Sequence, residues 1–342
     1  MSLEWAIDAA GATHPGQRKH NEDSWRVDMD DGFFIVADGV GGRDAGEVAS
    51  RMTCDIAAEQ VHAGKPLVPA LLAANSAIRE AIQASVERAS SMASTAVALL
   101  LQPDAQHFSV AWAGDSRLYL WDGELKSLTR DHSLVESLLR RGEITRAEAD
   151  THPRKNVILV ALGDAQGELE PGENRGPLPA DALFLLCSDG LTDVLAAGAL
   201  CDILSRRDDL QARADALVQA AVEAGGRDNI TALLVSCRSA GGASPEASPP
   251  ADGPVVYETF DPFSGERTRD DVEERSAPTI RRVPSRNEDT GTRPVNAGPA
   301  AGRAGVGQTP TSPRWRWRWW LAAVALVAVG MMLIDFVARQ GL

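Results

Sequence analysis

The chain has 342 residues, 44% of them hydrophobic, and a formal net charge of -14. That length allows one large domain or two small ones, and the acidic balance argues against a nucleic-acid partner, whose phosphates call for a basic surface. A phosphorylated protein stays open as a substrate, because a local arginine or bound cations can hold phosphate on an acidic surface.

Apolar residues are dense from Trp5 to Val235, sparse from Ser239 to Pro313 and concentrated again near the C-terminus. This predicts one folded domain over 1–238, a linker over 239–313 and an anchor over 314–342. Met1 to Ala12 has neither a basic segment nor a long apolar stretch, so no secretory signal is predicted and the folded part is expected in the cytoplasm.

In chain order, Leu3 to Gly11 and Ser24 to Val27 read as strands, with the polar cluster Arg18 to Asp23 between them. Phe33 to Ala37 is a short apolar run that ends at Asp38. The following Gly39-Val40-Gly41-Gly42 is a turn whose backbone can approach a ligand closely. Ala45 to Val61 and Pro66 to Glu87 carry the period of amphipathic helices. Strands resume at Ala93 to Leu101, His107 to Ala113 and Arg117 to Trp121, with Asp122-Gly123 as a hairpin turn. His132 to Gly142 and Thr145 to Ala149 read as helices, and a polar connector over His152 to Lys155 leads to the extended Val157 to Ala161. Leu183 to Cys187 is a second apolar run, ending at Asp189. Ala197 to Arg207 and Asp209 to Ala224 form a last helical pair, and Asp228-Asn229 opens the strand Ile230 to Cys237. The grouping of strands, helix pair, strands, helix pair and strand predicts an α+β fold, with two stacked antiparallel sheets and a helix pair on each outer face.

Ser239 to Pro313 is rich in Gly, Pro, Ser and charge, and is expected to be disordered. Its apolar island Val255 to Phe260 reads as a short linear motif or an accident of composition rather than a fold, with docking on a surface as the alternative. The four cysteines show no CxxC spacing and read as reduced core thiols. At the C-terminus Arg314, Arg316 and Arg318 alternate with tryptophans ahead of an apolar run. The stretch from Trp319 to Ala338 is about 20 residues, enough for one transmembrane helix. The basic flank precedes it, which predicts a single pass through the inner membrane with the domain on the cytoplasmic side.

The chemistry lies in the acidic clusters Asn21-Glu22-Asp23, Asp38-Gly39, Ser188-Asp189-Gly190 and Asp228-Asn229. Carboxylates at the ends of core strands are costly unless a cation neutralises them, and hard oxygen ligands in this number suit Mg²⁺ or Mn²⁺. The chain has no CxxxxxR string and no GxSxG elbow, so attack by water is the consistent mechanism. No GK[ST] follows Gly41-Gly42, which argues against nucleotide binding.

Five strings in order carry a family resemblance: Arg18 to Asp23, Ala37 to Gly42, Ala113 to Arg117, Cys187 to Gly190 and Gly226 to Thr231. Together they resemble the bacterial metal-dependent Ser/Thr protein phosphatases of the PP2C (PPM) family, over roughly the first 238 residues. The resemblance implies a four-layer α-β-β-α sandwich with a binuclear Mn²⁺ or Mg²⁺ site at one end. Asp38 would bridge both ions, the Gly39 carbonyl would bind one, and Asp189 and Asp228 the other. Glu22 and Asp23 would support the site through metal-bound water, and Asp115 with Asp189 would hold a weaker third ion. Arg18 matches the arginine that grips the substrate phosphate, for which a guanidinium fork is suited.

Two positions depart from the family pattern. Val40 stands where many eukaryotic members carry a His proposed as the acid, which leaves protonation of the leaving group to a metal-bound water, His20 or His152. Val160 stands where related bacterial sequences often place a basic residue. The implied partners are phosphoproteins made by Ser/Thr kinases of the same cell, acted on by a monomeric catalytic domain. A non-catalytic phosphoprotein-binding scaffold on the same fold is the alternative, and a phosphatase dedicated to one regulatory partner is a second. Loss of a core ligand would favour the scaffold, and none is lost.

Overall fold

A computed structural model of the chain describes residues 5–41, 45–84, 92–102, 106–164, 169–179 and 181–239, and the strands 256–261 and 266–271. The strands are β1 (Trp5–His14), β2 (Asp23–Asp28), β3 (Phe33–Val40), β4 (Ala93–Ser94), β5 (Ala96–Gln102), β6 (His107–Ala113), β7 (Arg117–Trp121), β8 (Leu125–Ser127), β9 (Gly172–Pro177), β10 (Ala182–Cys187), β11 (Ile230–Ser239), β12 (Val256–Asp261) and β13 (Glu266–Asp271). The helices are α1 (Ala45–His62), α2 (Leu67–Ala84), α3 (Leu134–Arg140), α4 (Arg146–Asp150), α5 (Asp189–Thr192), α6 (Ala197–Leu204) and α7 (Leu210–Glu223).

One sheet has the order β1-β11-β10-β7-β8, and the other β13-β12-β9-β6-β5-β3-β2 with β4 paired to β3. Every pairing is antiparallel.

The period of two along the strands builds the layers. In β3, Phe34 and Val36 face the other sheet and meet Phe184, Leu186, Leu233 and Val235. Phe108 and Phe184 stack edge to face there, with centroids 5.4 Å apart. The alternate residues Phe33, Ile35 and Ala37 pack under α1 and α2. On the opposite sheet Leu183, Leu185, Ala232 and Leu234 pack under α6 and α7. The predicted four layers are therefore present, with an apolar core in each of the three gaps. The four cysteines are unpaired thiols, three of them buried.

The expectation of a structureless 239–313 is corrected in part. β12 and β13 form a hairpin, and β12 extends the larger sheet by pairing Glu258, Thr259 and Phe260 with Arg175, Asn174 and Glu173 of β9. The island is thus a strand from Val256 onward, because an open sheet edge supplies the backbone partners that a lone segment lacks. Strand β9 itself is absent from the sequence reading. Among the described residues no helix is long and apolar enough to cross a membrane, and the expected anchor over 314–342 lies outside them.

Candidate metal centre

The acidic clusters meet at one end of the sandwich, where β3, β6, β10 and β11 begin or end. Register places Asp23, the first residue of β2, opposite Asp38 on β3. Asp38 is fixed through its backbone: its N–H donates to Thr95 Oγ1 at 3.1 Å, and its carbonyl accepts the Thr95 N–H at 2.8 Å. Gly39 N–H donates to the Glu22 carbonyl at 3.1 Å, which ties the turn to the Asn21–Asp23 cluster. Asp189, two residues past the end of β10, is the first residue of α5. A Cβ on Gly190 would lie 2.0 Å from the Asn229 carbonyl oxygen, so only glycine lets α5 sit against the start of β11. Asp115 follows β6 and the positive-φ residue Gly114, and is buried.

Burial decides the electrostatics. It pushes the Asp38 and Asp189 carboxyls well above the usual carboxylate range, and the neighbouring carboxylates push them further: Asp23 and Asp189 act on Asp38, and Asp115, Asp193 and Asp228 on Asp189. Burial raises Asp23 to about 6 against the opposing hydrogen bonds from Thr231 and Ser188. It also raises Asp115 to about 7, with Asp131 adding and Arg117 subtracting. These groups sit within one another's fields and cannot all be charged together without a counter-ion.

Three buried oxygens, Asp23 Oδ1, Asp115 Oδ1 and Asp189 Oδ1, have no hydrogen-bond partner among the described residues. Buried carboxylate oxygens left in that way are what a hard cation would satisfy, so the residues fit the expected ions. Among the described residues no three acidic, His or Cys side chains close into a cage around a single ion.

The roles predicted for Glu22 and Asp23 are refined. Asp23 Oδ2 accepts hydrogen bonds from Ser188 Oγ at 2.7 Å and Thr231 Oγ1 at 2.6 Å, so it ties the two sheets together beneath the site. Glu22 donates its N–H to Asn229 Oδ1 at 2.8 Å. Asn229 Nδ2 in turn donates to the Pro15 and His20 carbonyls at 3.1 and 2.9 Å, and so clamps the loop that carries Arg18. Sequence reasoning missed this clamp, although Asn229 stands in one of the strings it used. Arg18 is exposed and its Nη2 lies 2.8 Å from Asp228 Oδ2, which seats the guanidinium at the edge of the carboxylate group. Asp228 Oδ1 accepts the Asn229 N–H at 2.9 Å.

His132 is buried and stacks on Trp112 with centroids 5.8 Å apart. Burial lowers it to about 4. It anchors the start of the flap, residues 132–163, because its N–H donates to the Gly114 carbonyl at 2.9 Å. The flap's polar connector is tied back by Lys155 Nζ, 3.2 Å from Asp193 Oδ2 just beyond α5. His20 is exposed and His152 partly so, and His152 Nδ1 accepts the Arg154 N–H at 3.1 Å.

The profile of the protein phosphatase 2C family matches residues 10–234. The chain belongs to the protein phosphatase 2C family. The serine/threonine phosphatase stp of Listeria welshimeri is 38% identical over 234 residues, covering 64% of this chain and 90% of that protein. Among solved structures, the Mycobacterium tuberculosis serine/threonine phosphatase PstP/Ppp superposes with a TM-score of 0.62 at 32% identity, covering 67% of this chain and 98% of that one. The PstP catalytic domain in complex with two manganese ions gives a TM-score of 0.61 at 30% identity, covering 69% and 100%.

Proposed function

We propose that this phosphatase 2C chain hydrolyses phosphoserine and phosphothreonine in proteins at a site holding two Mn²⁺ or Mg²⁺ ions. The carrying observation is the set of buried carboxylate oxygens without partners, gathered at the sandwich end beside an exposed arginine. Asp38, the Gly39 carbonyl, Asp189 and Asp228 would hold the two ions, and Asp115 with Asp189 a weaker third. When bound, such ions supply an activated water and screen the phosphoryl charge. The rest falls to the chain. Asp23, Ser188 and Thr231 hold the floor rigid across both sheets. The Asn229 clamp fixes the loop, and Asp228 aims Arg18 at the phosphoryl oxygens. The manganese bound in a solved relative and the phosphatase names of the relatives support this reading.

The test is phosphate release from a phosphothreonine peptide by the full chain, with and without Mn²⁺. Release that is independent of divalent ions would sink the proposal. Arg18→Ala is expected to raise KM by about tenfold while kcat changes little, since a charge-assisted contact to the ground-state phosphate is lost. An unchanged KM removes Arg18 from the substrate contacts.

A second part of the proposal is that the chain is tethered to the cytoplasmic face of the inner membrane. The tryptophan- and arginine-flanked apolar run from Trp319 supports it. Deleting Trp315 to Leu342 is then expected to move the protein from the membrane to the soluble fraction of a cell lysate, with peptide turnover unchanged. A full chain that is soluble without detergent contradicts the tether.

A further inference from the structure

The mouth of the metal centre has an apolar rim that the fold leaves in solvent. Val40, directly after Gly39, is 44% exposed, and Val157 and Leu159 on the flap are 39% and 40% exposed. The backbone fixes all three beside the site. Gly39 and Val40 pair with Ser94 and Ala93 of β4, and Ser94 and Leu162 exchange hydrogen bonds of 3.0 and 2.8 Å. On the other side, Leu159 N–H donates to the His132 carbonyl at 2.7 Å and Leu134 N–H to the Val157 carbonyl at 2.9 Å. His132 itself is bonded to Gly114, the residue before Asp115. The segment 157–162 is therefore strung between the Asp38–Gly39 turn and the Asp115 turn.

Within this segment the side chains alternate. Val157 and Leu159 are exposed, whereas Ile158 is half-buried and Val160 packs against the core under α1 and α2. One apolar edge thus faces outward, as in a strand with one solvent face. Val40 stands exposed directly after Gly39, and Val160 turns inward while its apolar neighbours Val157 and Leu159 stay in solvent. Apolar side chains gathered at a functional site mark what it binds.

We propose that Val40, Val157 and Leu159 form a specificity rim that favours phosphoprotein segments with apolar residues next to the phosphorylated Ser or Thr. A phosphorylated side chain that reaches Arg18 and Asp38 brings its neighbours over this rim, so the occupant is the substrate's own flanking sequence. The inference rests on the phosphatase reading and adds the class of substrate to it.

The test compares two phosphothreonine peptides of equal length and charge, one with Leu or Val beside the phosphothreonine and one with Ser or Gly there. The full chain is expected to show a kcat/KM on the order of tenfold higher for the apolar peptide, which corresponds to partly burying one leucine. The triple variant Val40→Ser, Val157→Ser, Leu159→Ser should bring the ratio close to one and leave turnover of a small aryl phosphate unchanged. Equal rates on the two peptides, or a preference that survives the triple variant, overturn the rim. Binding of the same peptides, read by fluorescence anisotropy, separates the two proposals. Tighter binding of the apolar peptide without turnover keeps the rim and removes the phosphatase reading, whereas equal binding removes the rim.

Discussion

Asp38→Asn and Asp189→Asn should each lower Mn²⁺-dependent turnover of a phosphothreonine peptide by more than about a hundredfold. Even outer partners of metal ligands cost about 10- to 100-fold when removed, and these two carboxyls stand where the ions would be held. The fold should survive, because each substitution deletes a carboxylate that burial and its acidic neighbours already disfavour. Far-ultraviolet circular dichroism and a urea melt check this second half. Without added metal the variants are expected to unfold at the same urea concentration as the parent chain or higher. Parent-like turnover in either variant would mean that the ions are held elsewhere.

Removing the ions should change stability in a pH-dependent way. Asp23 at about 6 and Asp115 at about 7 lie above the usual carboxylate value in the folded state. Their contribution to stability is therefore fully present below the unfolded value near 4 and is lost as pH rises through 6 to 7. His132, lowered to about 4, works in the opposite sense: its contribution is present above about 6.5 and is lost as pH falls towards 4. The increment in melting temperature on adding Mn²⁺ isolates the carboxylates, since the buried imidazole contributes to both samples. Cations compete with protons for these groups, so the increment should be small at pH 5 and large at pH 8. At a hundred times Kd it corresponds to about 2.7 kcal/mol. An increment that is flat across this range would contradict the placement of the ions against these carboxylates.

Much of this arrangement is legible in the residues. The runs before Asp38 and Asp189 and after Asp228 are strands because they are continuous and apolar, and each delivers its carboxylate to the same end of the sandwich. The helix pairs follow from their period. Strand β9 is not legible, because Gly172-Glu173-Asn174-Arg175-Gly176-Pro177 has neither alternation nor β-branched residues. It is a strand because β6 lies beside it, and Gly172 is required there, since a Cβ would come within 2.4 Å of the Trp112 ring. The floor of the site was equally hidden. Nothing local to Asp23 announces that hydroxyls from Ser188 and Thr231, far along the chain, will hold one of its oxygens.

The hairpin of β12 and β13 changes where this protein can be cut. A fragment ended near residue 238, the boundary suggested by composition, would leave the outer edge of β9 with free amide and carbonyl groups, a template on which a second copy could add a strand. In the intact chain that edge is taken by β12, and the outermost strand is Glu266-Arg267-Thr268-Arg269-Asp270-Asp271, whose density of charge discourages further pairing. A recombinant chain taken past Asp271 therefore keeps the outer edge of β9 paired.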